Sequence, residues 1–205
     1  RVRKAGKEQS ILKGQFKNDK GKDAAVSVTL QLPNLVRIDG LNPGGQPVGF
    51  DGEHKNPNAN RDDDMLLETL TSDLAEGMLS AVQNGAAVQL LGLNVSQDPA
   101  TKPGPNAPRH DVFEVSSAVP SSAQGIERLK RYLFDSVTGL LSRAEYIDNS
   151  ISPPMKVETR FSNWREVDGS LYATHIEHLE NGHSVFTFIA TVVSAGPKQN
   201  SSNFR

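Results

Sequence analysis

Two dipeptides in the last third of the chain, Asp168-Gly169 and Asn181-Gly182, constrain the fold more than any other feature. They separate three long runs rich in β-branched, aromatic and alternating residues: Lys156–Glu166, Ser170–Glu180 and Ser184–Val193. Asp-Gly and Asn-Gly tolerate positive φ at both central positions, which a tight two-residue hairpin requires. Upstream, Arg128–Phe134 and Leu140–Ile147 flank the turn signal Asp135–Gly139, with a looser Pro-bearing link at Asp148–Pro154. The pattern predicts a large antiparallel sheet built hairpin by hairpin. Such a sheet has a core face that something must cover.

The first half adds strands and one helix. Lys7–Lys17 reads as a strand, ended by Asn18-Asp19-Lys20-Gly21. In Ala24–Leu32 the residues Ala24, Val26, Val28, Leu30 and Leu32 share one face, and Ala25, Ser27, Thr29 and Gln31 the other. Pro33-Asn34 bends the run, Leu35–Ile38 resumes it, and Asp39-Gly40 ends it. Pro47–Asp51 is a short strand, and Gly52–Arg61 a loop. Met65–Gln83 has an apolar stripe through Leu67, Leu70, Leu74, Met78 and Ala81/Val82, which predicts one amphipathic helix with Glu68, Ser72, Asp73, Glu76, Ser80 and Gln83 turned away. Asp62, Asp63 and Asp64 precede it as caps, and Asn84-Gly85 stops it. Gly77 inside it marks a close approach of a strand or ligand. Ala87–Ser96 is an apolar strand, Val88–Val95 and His110–Val115 pair across the Pro-bearing loop Gln97–Arg109, and Pro120–Gly125 is a further loop. Ser194–Arg205 lacks periodicity and reads as a frayed tail, leaving residues 1–193 as one domain. The expected fold is α+β, mainly antiparallel: an open barrel of nine to eleven strands wrapped around one or more helices. A sheet of that width curls unless something packs on its concave side.

Composition narrows the function. The 205 residues suit one domain, and the formal net charge of −2 gives no general attraction to nucleic acid. Residues 1–23 carry eight basic and three acidic side chains. The plainest reading is a solvated, Lys-protected edge strand, and the other is a surface for an acidic partner. There is no cysteine, so disulfides, thiolate metal sites and Cys nucleophiles are excluded. Mean hydropathy is −0.45, and no run approaches the roughly 18 apolar residues of a membrane helix. The first residue is Arg1, as expected of a processed or truncated product that has lost an export signal and an N-terminal helix.

Polar candidates for chemistry are weak. His175 and His178, three apart in a strand, point to opposite faces and make a poor metal pair. His178 and His183 flank a turn and read as solvated. His54 and His110 lie in or beside loops. Asp62-Asp63-Asp64 lacks the alternation and central Gly of a calcium loop. No Gly-x-Ser-x-Gly elbow occurs. Arg128, Lys130, Arg131 and Arg143 form a basic hairpin with Tyr132 and Tyr146, but Glu127, Asp135 and Glu145 interleave as cross-strand partners. No catalytic residue, metal ligand or cofactor is expected.

The stretch Arg131-Tyr-Leu-Phe-Asp-Ser-Val-Thr-Gly-Leu-Leu-Ser-Arg-Ala-Glu-Tyr146 resembles a hairpin of the LolA-like family, with its aromatic-Asp, two residues, then Thr-Gly-Leu. Val157–Gly169 followed by Leu171–His175 is similar to the family's next strand, Asp-Gly, strand portion. Pro33–Gly40 and Phe50-Asp51-Gly52 resemble its earlier strands. The resemblance spans most of residues 8–193 and rests on turns and strand patterns. It implies an unclosed antiparallel barrel around helices with an apolar cavity, in a periplasmic carrier of lipoproteins or lipids, or a lipid-sensing domain. On that basis a lipophilic ligand (an acyl chain, lipid or lipoprotein anchor) is expected between helix and sheet. Leu67, Leu70, Leu74 and Met78 on the helix, with Phe161, Trp164, Phe186 and Phe188 on strands, are the expected lining. The alternatives are a non-catalytic sensor or interaction domain of a cell-envelope complex, with an envelope protein as partner, and an enzyme that reuses the cavity.

Overall fold

The computed structural model describes residues 8–31, 34–42, 44–55, 60–96, 107–118 and 127–204. The chain begins with four strands: β1 (Gln9–Asn18), β2 (Asp23–Gln31), β3 (Leu35–Asp39) and β4 (Val48–Phe50). Helices α1 (Arg61–Glu68) and α2 (Ala75–Gln83) follow. Seven strands complete it: β5 (Ala87–Ser96), β6 (Arg109–Ala118), β7 (Glu127–Asp135), β8 (Leu141–Asp148), β9 (Met155–Val167), β10 (Ser170–Glu180) and β11 (His183–Gly196). Most of the expected loops, residues 56–59, 97–106 and 119–126, lie outside the described residues, as do Leu32 and Pro33.

All eleven strands join one antiparallel sheet in the order β4-β3-β2-β1-β11-β10-β9-β8-β7-β6-β5. Its two edges, β4 and β5, do not meet, so the barrel is open as expected. The hairpin turns behave as their residues dictate: Asp168 and Gly169 take φ of 50° and 79°, Asn181 and Gly182 take 48° and 82°. Register shifts at Lys13/Gly14, Leu133/Phe134 and His178/Leu179 mark bulges, which bend strands and add curvature.

Three expectations are corrected. The basic first strand is not an edge: β1 lies between β2 and β11, in the interior of the sheet. Its lysines belong to the solvent face of a central strand. The segment after Val193 is not frayed. β11 runs to Gly196, and a short 3-10 turn, Ser201–Phe204, packs against β3 and β4. There Phe204 is 1% exposed, and Gln31 and Gln199 exchange two hydrogen bonds (3.0 and 2.6 Å).

The third correction concerns the helix. It starts earlier than expected, with Asn60 as N-cap accepting from the Asp62 and Asp63 amides (2.9 and 3.1 Å) while Asp63 accepts from the Asn60 amide. It then breaks. Thr69–Asp73 forms a π-helical turn, Leu74 is extended (φ −69°, ψ 159°), and α2 sets off afresh. The run Thr69-Leu-Thr-Ser-Asp73 explains this. The Thr71 hydroxyl donates to the Leu67 carbonyl (2.8 Å) and the Ser72 hydroxyl to the Glu68 carbonyl (2.9 Å), competing with the helix's own amides. Gly77 then allows the two helical pieces to touch. A Cβ there would lie 2.5 Å from the Thr71 oxygen and 2.7 Å from Ser72 Cα. The close neighbour is the preceding turn, not a strand or ligand.

Candidate functional site

The concave face is organised by a row of directly paired residues: Leu90, Phe113, Tyr132, Ala144, Thr159, His178, Phe186 and Asn18. Side chains of opposed residues share a face. The row therefore runs from the β5 edge to β1 along the inside of the curl, and its middle is polar.

That polar middle binds the π-turn. Lys130, two residues before Tyr132 and on the same face, donates to Asp73 and to the Ser72 hydroxyl (2.9 Å). The Thr159 hydroxyl donates to the other Asp73 oxygen (2.7 Å) and lies 3.2 Å from His178 Nδ1. The Tyr132 hydroxyl donates to the Ser72 carbonyl (2.6 Å). Lys130 also sits over the Tyr146 ring, 4.9 Å from its centroid. The His178 ring stacks on Phe186 (5.0 Å, 3°), which stacks on Phe16. Burial pushes His178 below its ordinary value despite the Asp73 carboxylate, and pushes the Tyr132 hydroxyl up. Asp73, Lys130, Thr159 and His178 are each buried. Sequence reading missed this cluster by turning Asp73 outward on a continuous helix and taking His178 as solvated. The signal was present in Thr-Ser-Asp, three poor helix formers in succession inside the apolar period.

The two ends of the row differ in how the concave face is covered. Around β1–β3, β10 and β11 the face is filled. Leu66 and Leu67 are fully buried, and Leu70, Phe161, Phe186 and Phe188 are 4% exposed or less, within one packed cluster. Five of the eight expected lining residues thus belong to a solid core. Leu74, Met78 and Trp164 are half-buried at its border.

Toward β5 the face is uncovered. Gly77 is the only buried residue of α2. Val82 lies one turn beyond Met78 on the same arc and is 39% exposed, and Leu79 beside it is 55% exposed. On the sheet, Val88 faces inward with its partner Val115, and Leu90 with Phe113, yet they are 41% and 48% exposed. Asn84-Gly85 joins α2 directly to β5, and α2 lies over β6. The result is an apolar trough, solid at one end and open at the other. Sequence periodicity ended the stripe at Ala81 or Val82; Ala81 packs against the core and Val82 is left exposed, a difference that period does not announce.

The convex face is charged. Glu158 is held by Arg160 (2.6 Å), Arg143 (3.4 Å) and Lys156 (3.4 Å), beside Glu145 and Glu177. Burial pushes its carboxyl up, but the cations outweigh this and hold it below its ordinary value. Arg131 pairs across β6 and β7 with Glu114 (2.9 Å), a partner the sequence reading did not name. Asp135 instead caps its own turn, accepting from Thr138. His110 is a buried residue near the start of β6, beside the expected loop, and burial pushes it down. His175 meets Ser162 on the face opposite His178. Among the described residues, no group of three or more His, Asp or Glu is arranged to hold a metal.

The eleven-stranded open sheet curled around a broken helix matches solved structures along its whole length. A LolA superfamily protein from Nitrosomonas europaea superposes with a TM-score of 0.60, covering 100% of this chain and 92% of that one at 13% identity. The fold is LolA-like. An outer membrane lipoprotein-sorting protein domain from Vibrio parahaemolyticus gives a TM-score of 0.61 over 96% of this chain and 89% of that one, at 10% identity. A DUF1329 family protein from Desulfovibrio piger gives 0.57 over 98% and 91%, at 12% identity. No protein-family model and no curated protein matches the sequence. At such identities the likeness is one of LolA-like architecture, and function must come from the site.

Proposed function

We propose that the chain binds a lipophilic ligand, an acyl chain of a lipid or of a lipoprotein, in the uncovered trough between α2 and β5–β6, as a non-catalytic carrier in the periplasm. The observation that carries this reading is the exposure of inward-facing Val88 and Leu90 on β5 next to exposed Leu79 and Val82 on α2. Soluble proteins rarely leave a contiguous apolar surface bare unless something occupies it. Leu74 and Met78 lead from the same helical run toward this space, while Leu67, Leu70, Phe161, Phe186 and Phe188 belong to the filled half beyond it and Trp164 lies at that half's border. Lipoprotein sorting, named for the Vibrio domain, fits this chemistry. Burial of each methylene contributes about 0.8 kcal/mol, so ten methylenes outweigh the ordering of the chain that carries them. No helix among the described residues is long and apolar enough to cross a membrane, which fits a carrier that shields a chain rather than inserting with it.

The test is native mass spectrometry of delipidated protein with phosphatidylglycerol and with a triacylated lipopeptide. A stoichiometric adduct is expected, weakened at least tenfold by the double substitution Leu79→Glu, Val82→Glu with the far-UV spectrum retained. No adduct with either probe, or equal binding by the variant, overturns the reading.

A further inference from the structure

The two edges of the sheet are treated differently. At β4 the chain covers its own edge. The 3-10 turn Ser201–Phe204 lies against β3 and β4, Arg37 donates to the Asn203 carbonyl (3.1 Å), and Phe204 is buried beside Gly49. At β5 nothing among the described residues lies outside the strand. An uncovered edge presents a row of free amides and carbonyls and is normally blunted by charge, proline or a bulge. Bulges do occur in β5, but beyond Leu90, toward Val95. The stretch Ala87–Leu90 pairs regularly with β6. Ala87–Ser96 contains no charged residue and no proline. Apart from the inward pair already assigned to the trough, Leu91 and Leu93 are 42% and 62% exposed, and Leu129 on nearby β7 is 49% exposed.

We infer that β5 is an interface for a second copy of this chain, joined edge to edge by antiparallel β5–β5 pairing about a two-fold axis. The argument for this occupant is charge and symmetry. In a two-fold antiparallel pair each strand meets itself, so any charge near the axis faces a like charge, and a Lys or Glu there forbids the pairing. β5 carries none. The charges nearest β5 are engaged within the protomer: Glu114 pairs with Arg131, while at the bulged end Arg109 donates to the Asn94 carbonyl (3.2 Å) and Asp111 accepts from the Asn94 amide (2.9 Å), outside the regular stretch. The occupant must also be a strand that is apolar on both faces, and β5 is such a strand. With the axis at Gln89, inside the regular stretch, pairing satisfies the free backbone groups of both edges there and sets Leu91 of each copy against Ala87 of the other.

The test uses the full chain, and it is independent of lipid binding because it reads mass alone. Sedimentation velocity from 1 to 100 times the micromolar range is expected to give a monomer–dimer equilibrium, and Leu91→Lys with Leu93→Lys is expected to raise the dimer dissociation constant at least a hundredfold. Because those variants risk local misfolding, Gln89→Cys supplies a second measurement. The natural chain has no cysteine, so mild oxidation of this variant yields a covalent dimer only if two copies bring the β5 strands within disulfide reach. A chain that stays monomeric throughout, a dimer indifferent to the lysines, or the absence of the Gln89→Cys cross-link overturns the inference.

Discussion

Asp73 is the residue on which the arrangement of the inner face turns. It is 2% exposed and bridges Lys130 and Thr159. Removing one member of a buried ion pair leaves the other charge uncompensated, so Asp73→Ala is expected to destabilise the protein by about 3–5 kcal/mol. Replacing both charges, Asp73→Leu with Lys130→Met, removes the desolvation of each and is expected to recover most of that loss. Urea denaturation of the three proteins decides it; equal stability of the single and double variants contradicts the pairing. His178 adds a pH dependence. Its folded pKa is lowered by burial, so below about 6.5 the unfolded chain takes up a proton that the folded chain resists. Stability is therefore full above that value and falls as pH drops through the window beneath it. His110 acts in the same direction, and Glu158, with its lowered pKa, contributes a further loss only below about 4.5. The substitution His178→Gln is expected to flatten the midpoint of thermal unfolding between pH 7 and 5 without removing the Glu158 loss. An unchanged slope rules out His178 as its source.

At the scale of elements, hairpins were legible and the helix was only half so. The Asp-Gly and Asn-Gly turns fix strand ends because few other residues accept two successive positive φ values. Burial is a different matter. The stripe Leu67–Val82 has the right period for one helix, but period does not register the break that Thr71 and Ser72 make locally, nor the contacts from β7 and β9, far away in sequence, that engage it. Lys130 and Leu129 illustrate the difficulty: the charged residue points inward to Asp73 and the apolar one outward, the reverse of what patterning predicts. The break gives Gly77 a particular role. On propensity alone Gly77→Ala strengthens α2 by about 1 kcal/mol. The Thr71 oxygen and Ser72 Cα leave no room for the methyl group, and overpacking of this kind costs about 1–3 kcal/mol. The net expectation is destabilisation, with the loss confined to the α1–α2 junction. A more stable Gly77→Ala variant would mean that α2 is free to move away from the π-turn. At the far edge, Phe204→Ala is expected to cost about 3 kcal/mol by emptying the site against β3 and β4, a contribution that the aperiodic C-terminal sequence did not announce.

Across the whole molecule, the open barrel could be reasoned from strand count and turn spacing, since a sheet this wide must curl. Whether its concave side is full could not, because that depends on bulge positions and on where the helix breaks. Both are tertiary outcomes. The physical result is a gradient. One half holds fully buried Phe16, Leu66, Leu67, Phe186 and Phe188, while α2 buries only Gly77 and β5 buries no residue. Local opening free energy follows buried apolar contact, so in the monomer, at concentrations below the dimer dissociation constant, amide exchange is expected to be slowest in β1, β10 and β11 and fastest in α2 and β5, by several orders of magnitude. An acyl ligand in the trough adds contacts only at the weak end. Its binding energy appears there as added protection of α2, β5 and β6, by up to the factor 1 + [L]/Kd for openings that release the ligand, with β1 and β11 unchanged. Hydrogen exchange with and without phosphatidylglycerol reads this directly. Protection spread evenly over the sheet would place the ligand elsewhere, because a chain seated in the filled half would have to displace the Phe186 and Phe188 packing that holds every central strand.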